Sequence, residues 1–164
     1  MITQKSSREI ELMRKAGEIV ALAHQAVAKA IRPGITTYEL DKIVEKVILD
    51  NQATPSFKGY NGFPSATCTS VNDVLVHGFP GKQVLKEGDI ISVDIGACYK
   101  GYHGDSAWTY AVGKVSKEAE HLMEVTKQSL FEGLKVVKAG VHLSDVSNTI
   151  GEYVYSLGYS VPYE

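Results

Sequence analysis

One segment, 90–112 (IISVDIGACYKGYHGDSAWTYAV), constrains the fold of this 164-residue chain more than any other. Two apolar runs flank a short polar turn at 99–101, a pattern typical of a β-hairpin. Each run contains one aspartate, Asp94 in the first and Asp105 in the second. A carboxylate in an apolar strand is costly to bury unless a partner compensates its charge, and two on facing strands should repel each other.

The position of the turn decides how these aspartates face each other. A two-residue loop at 100–101 pairs Asp94 with Ala107. Asp105 then lies diagonally across from Asp94, whereas a loop at 99–100 pairs the two aspartates directly. Both loops have even length, so both side chains lie on one face, about 5 Å apart if paired or roughly 7–8 Å apart on the diagonal. Such a pair can share metal ions; the alternative is an exposed hairpin face with two unrelated aspartates.

Composition narrows the class of protein. The chain is 44% apolar and 22% charged, which is ordinary for one globular domain. Its net charge of −2 and lack of a basic run give no support for nucleic-acid binding. No apolar run is long enough for a membrane span or a signal segment. Cys68 and Cys98 lack CxxC spacing, so we expect free thiols in a reducing cytoplasm.

Helical periodicity predicts two helices before the hairpin. The first begins at an N-cap at Ser7 and ends near Ile31, ahead of the break at 32–34. The second is capped by Thr36 or Thr37. Its apolar stripe consists of Leu40, Ile43, Val44, Val47 and Ile48.

Loops and a second hairpin are predicted between these helices and the aspartate hairpin. The segment 51–64 is rich in Gly, Pro, Asn and aromatic residues and is expected to be a loop. Strands at 66–71 and 74–77 are predicted to form a short hairpin around the turn at 72–73. Residues 78–88 form a further loop.

Two more helices are predicted after the aspartate hairpin, and they resemble the first two. One runs from Ser116 to Lys138, and another is capped by Ser144 and ends near Gly158. Leu12-Met13 aligns with Leu122-Met123 and Gly34 with Gly140, offsets that differ by about one helical turn. The likeness indicates an internal duplication, in which 7–112 is the first repeat and 116–164 is the start of the second. The alternative is that the two helix pairs are similar by chance.

Three stretches resemble one family. They are GYNGFPSATCTSVND (59–73), VNDVLVHGFP (71–80) and GDIISVDIGACYKGYHGDSAWTYAVGK (88–114), and together they resemble the type I methionine aminopeptidases. The resemblance extends over essentially the whole chain, and the Asp-x10-Asp spacing is its most specific part. It implies the duplicated α+β pita-bread fold, here truncated within the second repeat.

The resemblance implies a metal site. Asp94 matches a terminal, bidentate ligand of a pair of divalent metal ions, and Asp105 matches a ligand that bridges both ions. The ions would be Co, Mn, Fe or Zn. The family's other ligands, a histidine in a Gly-His-Gly-type motif and two glutamates, have no counterpart here, because neither His103 nor Glu164 stands in a matching motif. We therefore expect this chain to bind metal weakly or not at all and to be inactive alone.

The resemblance also implies substrate-binding residues. His77 matches the catalytic histidine that contacts the substrate amide and the developing oxyanion. Tyr60, Phe63 and Cys68 match positions that line the pocket for the methionine side chain. Phe57 stands where many members have cysteine, which leaves that edge of the pocket undefined.

The implied activity of the complete enzyme is removal of N-terminal methionine from nascent proteins in the cytoplasm. Its partners would be N-terminal Met peptides and the ribosome, with no membrane and no specific nucleic acid. An uncovered sheet edge would favour oligomerisation of the fragment. Two alternatives remain: a non-catalytic pita-bread fragment or binding module, and a proline-type aminopeptidase relative. The 71–80 stretch favours the methionine type.

Overall fold

The fold is a small antiparallel sheet with helices before and after it. A computed structural model describes residues 3–162. Its elements are α1 (Ser7–Ala30), α2 (Thr37–Asp50), β1 (Thr54–Pro55), a 3-10 turn (Tyr60–Gly62), β2 (Thr67–Val71), β3 (Ile90–Tyr99), β4 (Tyr102–Ala111), α3 (Lys117–Lys135) and α4 (Leu143–Ser156). The chain divides into two compact units, one that ends at Val115 and one that begins at Ser116.

Capping boxes fix the starts of the first two helices. The N-cap of α1 is Ser6 and not Ser7, because only Ser6 has a glutamate three residues later. The Glu9 carboxylate accepts the Ser6 backbone N–H at 2.7 Å. For α2 the cap is Thr36, whose N–H donates to Glu39 at 2.8 Å, which decides between the two predicted caps.

In the second unit the first helix begins as predicted, and the other helix bounds differ from the prediction. Ser116 caps α3, and this helix ends at Lys135, three residues before the predicted end. The N-cap of α4 is His142 and not Ser144, because the Asp145 carboxylate accepts the His142 N–H at 2.8 Å.

Two glycines have the same backbone conformation at equivalent places in the helix pairs. Gly34, between α1 and α2, has a φ of 93°, and Gly140, between α3 and α4, has a φ of 92°. Both values lie in the left-handed region that glycine adopts at little cost. The internal duplication stays a prediction.

β3 is the central strand. It pairs with β4 along its whole length on one side and with β2 and then β1 on the other. The predicted hairpin at 66–77 is wrong: β2 pairs with β3, and residues 74–77 are not a strand. The chain turns at Asn72, where φ is 51°. The Asn72 side chain then accepts the Ile90 N–H at 3.0 Å, which ties this turn to the start of β3.

The two faces of the sheet differ. In β3 the side chains of one face are fully buried and form the core with α1 and α2; they are Ile91, Val93, Ile95 and Ala97. The other face of β3, called the site face below, carries Ser92, Asp94, Gly96 and Cys98. Among residues 3–162, no helix has the length and apolar character needed to cross a membrane.

Gly104 sets the distance between β4 and α1. A Cβ atom there would lie 2.6 Å from the Gly17 backbone nitrogen and 2.7 Å from the Ala16 carbonyl carbon. Gly17 itself has nothing within 4 Å of an added Cβ. We predict that Gly104→Ala lowers the free energy of unfolding by about 1–3 kcal/mol through overpacking.

The matched control, Gly17→Ala, should raise the free energy of unfolding by up to about 1 kcal/mol, since alanine favours a helix interior. Urea unfolding followed by Trp108 fluorescence measures both variants. Equal effects of the two substitutions would contradict this account of the α1–β4 contact.

His24 links α1 to β4. Its Nε2 lies 3.0 Å from the Ser106 carbonyl oxygen and its Nδ1 lies 2.9 Å from the Tyr110 hydroxyl. Burial lowers the pKa of His24 below its ordinary value of 6.5, and the Ser106 carbonyl offsets only part of this shift.

The lowered pKa predicts a pH dependence of stability. Below pH 6.5 the unfolded chain binds the His24 proton more readily than the folded chain does. The contribution of neutral His24 is therefore present above pH 6.5 and is lost as pH falls through the folded pKa. His24→Gln should flatten the stability profile in this range. Urea unfolding between pH 7.5 and 5 tests this; an unchanged profile in His24→Gln would refute it.

Candidate metal centre and substrate site

The hairpin register places the two aspartates diagonally. Asp94 is opposite Ala107, and Asp105 is opposite Gly96. Lys100 and Gly101 form the turn, with φ values of 49° and 86°, as a two-residue type I′ turn requires. Of the two predicted loops, the one at 100–101 is therefore confirmed. Because side chains alternate along each strand, both aspartates lie on the site face, as predicted.

The two carboxylates interact unfavourably when no cation is near. Burial raises the pKa of Asp94 above its ordinary value, and the negative charge of Asp105 and a hydrogen bond between the two carboxyl groups raise it further. The His77 charge and the Ile95 backbone N–H act in the opposite direction. A divalent cation between the carboxylates would replace this repulsion by attraction, so the donors present suit such an ion.

Cys68 lies beside the aspartate pair, on the neighbouring strand β2. It is opposite Asp94 in the β2–β3 ladder and is 6% exposed. Burial, followed by the charges of Asp94 and Asp105, raises the pKa of the Cys68 thiol to about 11. Cys68 is therefore a protonated, compact side chain beside the carboxylates, which suits a pocket wall and not a thiolate ligand.

His77 approaches the pair from the segment that follows β2. Its backbone is left-handed, with a φ of 57°, and its side chain is exposed. Its charge lowers the pKa of the Asp94 carboxyl. The strand register thus brings together three of the predicted site residues, Cys68, Asp94 and Asp105, and His77 acts on Asp94 through its charge.

Aromatic residues lie on two segments, one before β2 and one after it. The Phe63 ring stacks on Phe79, with ring centroids 5.1 Å apart, and Tyr60 in the preceding turn is 70% exposed. The sequence analysis did not anticipate Phe79 as the ring partner of Phe63. The Phe57 ring lies against Gly96, where an added Cβ would be 2.7 Å from Cε1 of the ring.

His103 is on the site face and contacts the segment that follows β1. Its Nδ1 lies 2.9 Å from the Ser56 hydroxyl, and the Ser56 backbone N–H donates to the Gly96 carbonyl at 2.9 Å. These bonds hold the 56–57 segment on the hairpin. Sequence reasoning gave no partner for His103, because Ser56 is 47 residues away.

Within residues 3–162, no group of three or more His, Cys, Asp and Glu side chains is arranged to hold a metal ion. The ligand roles of Asp94 and Asp105, and the substrate roles of His77, Tyr60, Phe63 and Cys68, stay predictions.

Comparison with known proteins gives consistent matches. The model of metallopeptidase family M24 matches residues 11–164, and members of this family use divalent metal ions. Methionine aminopeptidase 1 of Bacillus subtilis (strain 168) is 55% identical over 161 residues, which are 98% of this chain and 65% of that protein. The methionine aminopeptidase of Clostridium perfringens is 48% identical with the same coverage. The chain therefore spans slightly less than two thirds of the length of these relatives.

Solved structures give the same result. Methionine aminopeptidase from Thermotoga maritima superposes with a TM-score of 0.94 at 46% identity, over 96% of this chain and 64% of that one. Xaa-Pro dipeptidase from Bacillus anthracis superposes with a TM-score of 0.85 at 26% identity, over 94% of this chain and 42% of that one. The predicted α+β pita-bread fold is confirmed. The chain belongs to metallopeptidase family M24, and within it the resemblance to the type I methionine aminopeptidases is confirmed.

Proposed function

We propose that this chain carries the metal-binding hairpin and part of the substrate pocket of a methionine aminopeptidase. The complete enzyme would remove N-terminal methionine from nascent proteins. The observation that carries the proposal is the diagonal Asp94–Asp105 pair on one face of a hairpin, in a chain 55% identical to a methionine aminopeptidase. A proline-type activity is less well supported, since the TM-score is 0.94 for the Thermotoga maritima methionine enzyme and 0.85 for the Xaa-Pro dipeptidase.

Asp94 and Asp105 are the residues that would hold the metal. Their hard oxygen donors and combined negative charge suit divalent ions, and Mn, Fe, Co and Zn are all compatible with carboxylate ligands. In a two-metal site, the ions lower the pKa of a bound water and polarise the scissile carbonyl. Two carboxylates are too few donors for tight binding of two ions, so the remaining ligands must come from outside this pair.

His77, Cys68 and the aromatic residues would handle the substrate. The His77 imidazole, beside the carboxylate pair, would donate a hydrogen bond to the carbonyl oxygen as negative charge develops on it. Cys68 is neutral because its pKa is about 11, so it offers a compact wall to an apolar side chain. Phe63 and Tyr60 would add aromatic surface, which suits the polarisable sulfur of methionine.

The proposal extends to partners and location. N-terminal Met peptides would be the substrates, and the ribosome would be the site of encounter with nascent chains. Free Cys68 and Cys98 support a reducing compartment such as the cytoplasm. Among the described residues, β4 pairs only with β3, so its other edge has no neighbouring strand. Such an unpaired edge supports the expected oligomerisation. The two repeats, 7–112 and 116–164, remain part of the proposal.

A chimera tests the activity. Residues of the Bacillus subtilis enzyme that match this chain are replaced by the 164-residue sequence, and methionine release from a Met-Ala-Ser peptide is measured with Mn²⁺ or Co²⁺. We expect release, and a fall of roughly 100-fold or more with Asp105→Asn, because a shared carboxylate would be lost. Asp73→Asn, at an exposed turn, is the matched control. Cleavage of Xaa-Pro peptides with no methionine release would favour the proline-type alternative.

A second prediction separates the roles of histidine and aspartate. In the same chimera, His77→Ala should lower turnover more than metal content, since His77 is assigned to the substrate oxygen and not to the ions. Asp105→Asn should lower both. Metal analysis of the purified variants beside their kcat decides the point; loss of metal in His77→Ala would make His77 a ligand.

The 164-residue chain alone should release no methionine and should bind Mn²⁺ weakly. Its two carboxylates supply too few donors. Isothermal titration with Mn²⁺, beside the Asp94→Asn and Asp105→Asn variants, measures this binding. Tight binding that survives either substitution would show that the ion lies elsewhere.

A further inference from the structure

Ser70 connects β2 to the segment that carries His77. It lies on the site face two residues after Cys68 and is opposite Ser92 in β3. It is 5% exposed. Its hydroxyl oxygen accepts the Gly78 backbone N–H at 3.1 Å, so the residue directly after His77 is bound to a side chain of β2.

The Gly78 carbonyl is held as well. It accepts the Thr69 backbone N–H at 2.8 Å, so Gly78 is bound on both its donor and its acceptor side. The two backbones are in close contact, because a Cβ on Gly78 would lie 2.1 Å from the Thr69 carbonyl oxygen. Gly78 is therefore clamped against Thr69 and Ser70.

The clamp lies directly after a residue of unusual conformation, His77. A non-glycine residue with a φ of 57° occupies a sparsely populated region, and such a residue persists only where its surroundings determine its backbone. The bonds to Gly78 fix the peptide on the C-terminal side of His77. The charge of His77 lowers the pKa of the Asp94 carboxyl, and Asp94 lies on the same face of the sheet as Ser70.

We propose that Ser70 is a positioning residue, whose hydroxyl holds the Gly78 amide and thereby keeps His77 in its left-handed conformation beside the carboxylate pair. The functional meaning rests on the proposed function, since it assumes that His77 acts on the substrate. The positioning itself concerns only contacts within this chain.

The test uses NMR of the 164-residue chain without substrate or metal. Two quantities are measured: native-state hydrogen exchange of the Gly78 amide, and the three-bond HN–Hα coupling of His77, which reports φ. Ser70→Ala should raise Gly78 exchange about 10-fold, as expected for the loss of one hydrogen bond, and should change the His77 coupling. Ser70→Thr keeps the hydroxyl and should restore both values.

Ser92→Ala is the matched control, because Ser92 faces the same side and its hydroxyl lies 2.7 Å from that of Thr109. It should leave both His77 and Gly78 values unchanged. A merely stabilising role for Ser70 would lower the free energy of unfolding and leave the native His77 coupling as it is. An unchanged coupling in folded Ser70→Ala would therefore overturn the proposal.

Gly78→Ala supplies an independent variant should Ser70→Ala fail to fold. Its methyl group would displace the segment from Thr69 with Ser70 intact, so the His77 coupling should change here too; an unchanged coupling would overturn the clamp. Both readouts are independent of turnover. If Ser70→Ala changes the His77 coupling and the chimera releases no methionine, the proposed function fails and the positioning role of Ser70 holds. If the coupling is unchanged and the chimera releases methionine, only the positioning role is rejected.

Discussion

The pairing of β3 with β4 through a two-residue turn is the constraint on which the rest of the structure depends. It fixes which residues of each strand face α1 and α2 and which face the other way. A shift of one residue would move Ile91, Val93 and Ile95 out of the core and turn Asp94 toward it, because side chains alternate along a strand. The burial of the apolar residues therefore holds the two carboxylates on the site face.

Glycines at three points let other segments reach the sheet. Gly104 admits the backbone of α1 on the core side, Gly96 admits the Phe57 ring on the site face, and Gly78 lies directly on Thr69 of β2. At each point an added Cβ would come within 2.7 Å of a neighbouring atom, well inside van der Waals contact. The core and the site face thus depend on close backbone approaches as well as on apolar burial.

Local sequence signals predicted the aspartate hairpin, its even loop and the shared face of Asp94 and Asp105, because strand alternation and turn chemistry are short-range properties. They failed at 74–77, where an apolar run resembled a strand but the partner of β2 is β3. They gave no indication of the Ser70–Gly78 bond or of the His103–Ser56 bond. Such contacts depend on which distant segments the sheet brings together, and propensity carries no information about that.

The electrostatics of the site face explain why its carboxylates need a rigid support. Burial and mutual repulsion both raise the pKa of Asp94, so the folded chain bears an unfavourable interaction when no cation is present. A flexible loop would relieve it by moving the two side chains apart. Asp94 and Asp105 cannot separate in this way, since each stands within a strand whose opposite face is anchored to the core. The strands therefore preserve a close pair of anionic donors before any ion binds, and an ion would gain its binding energy without having to order the backbone.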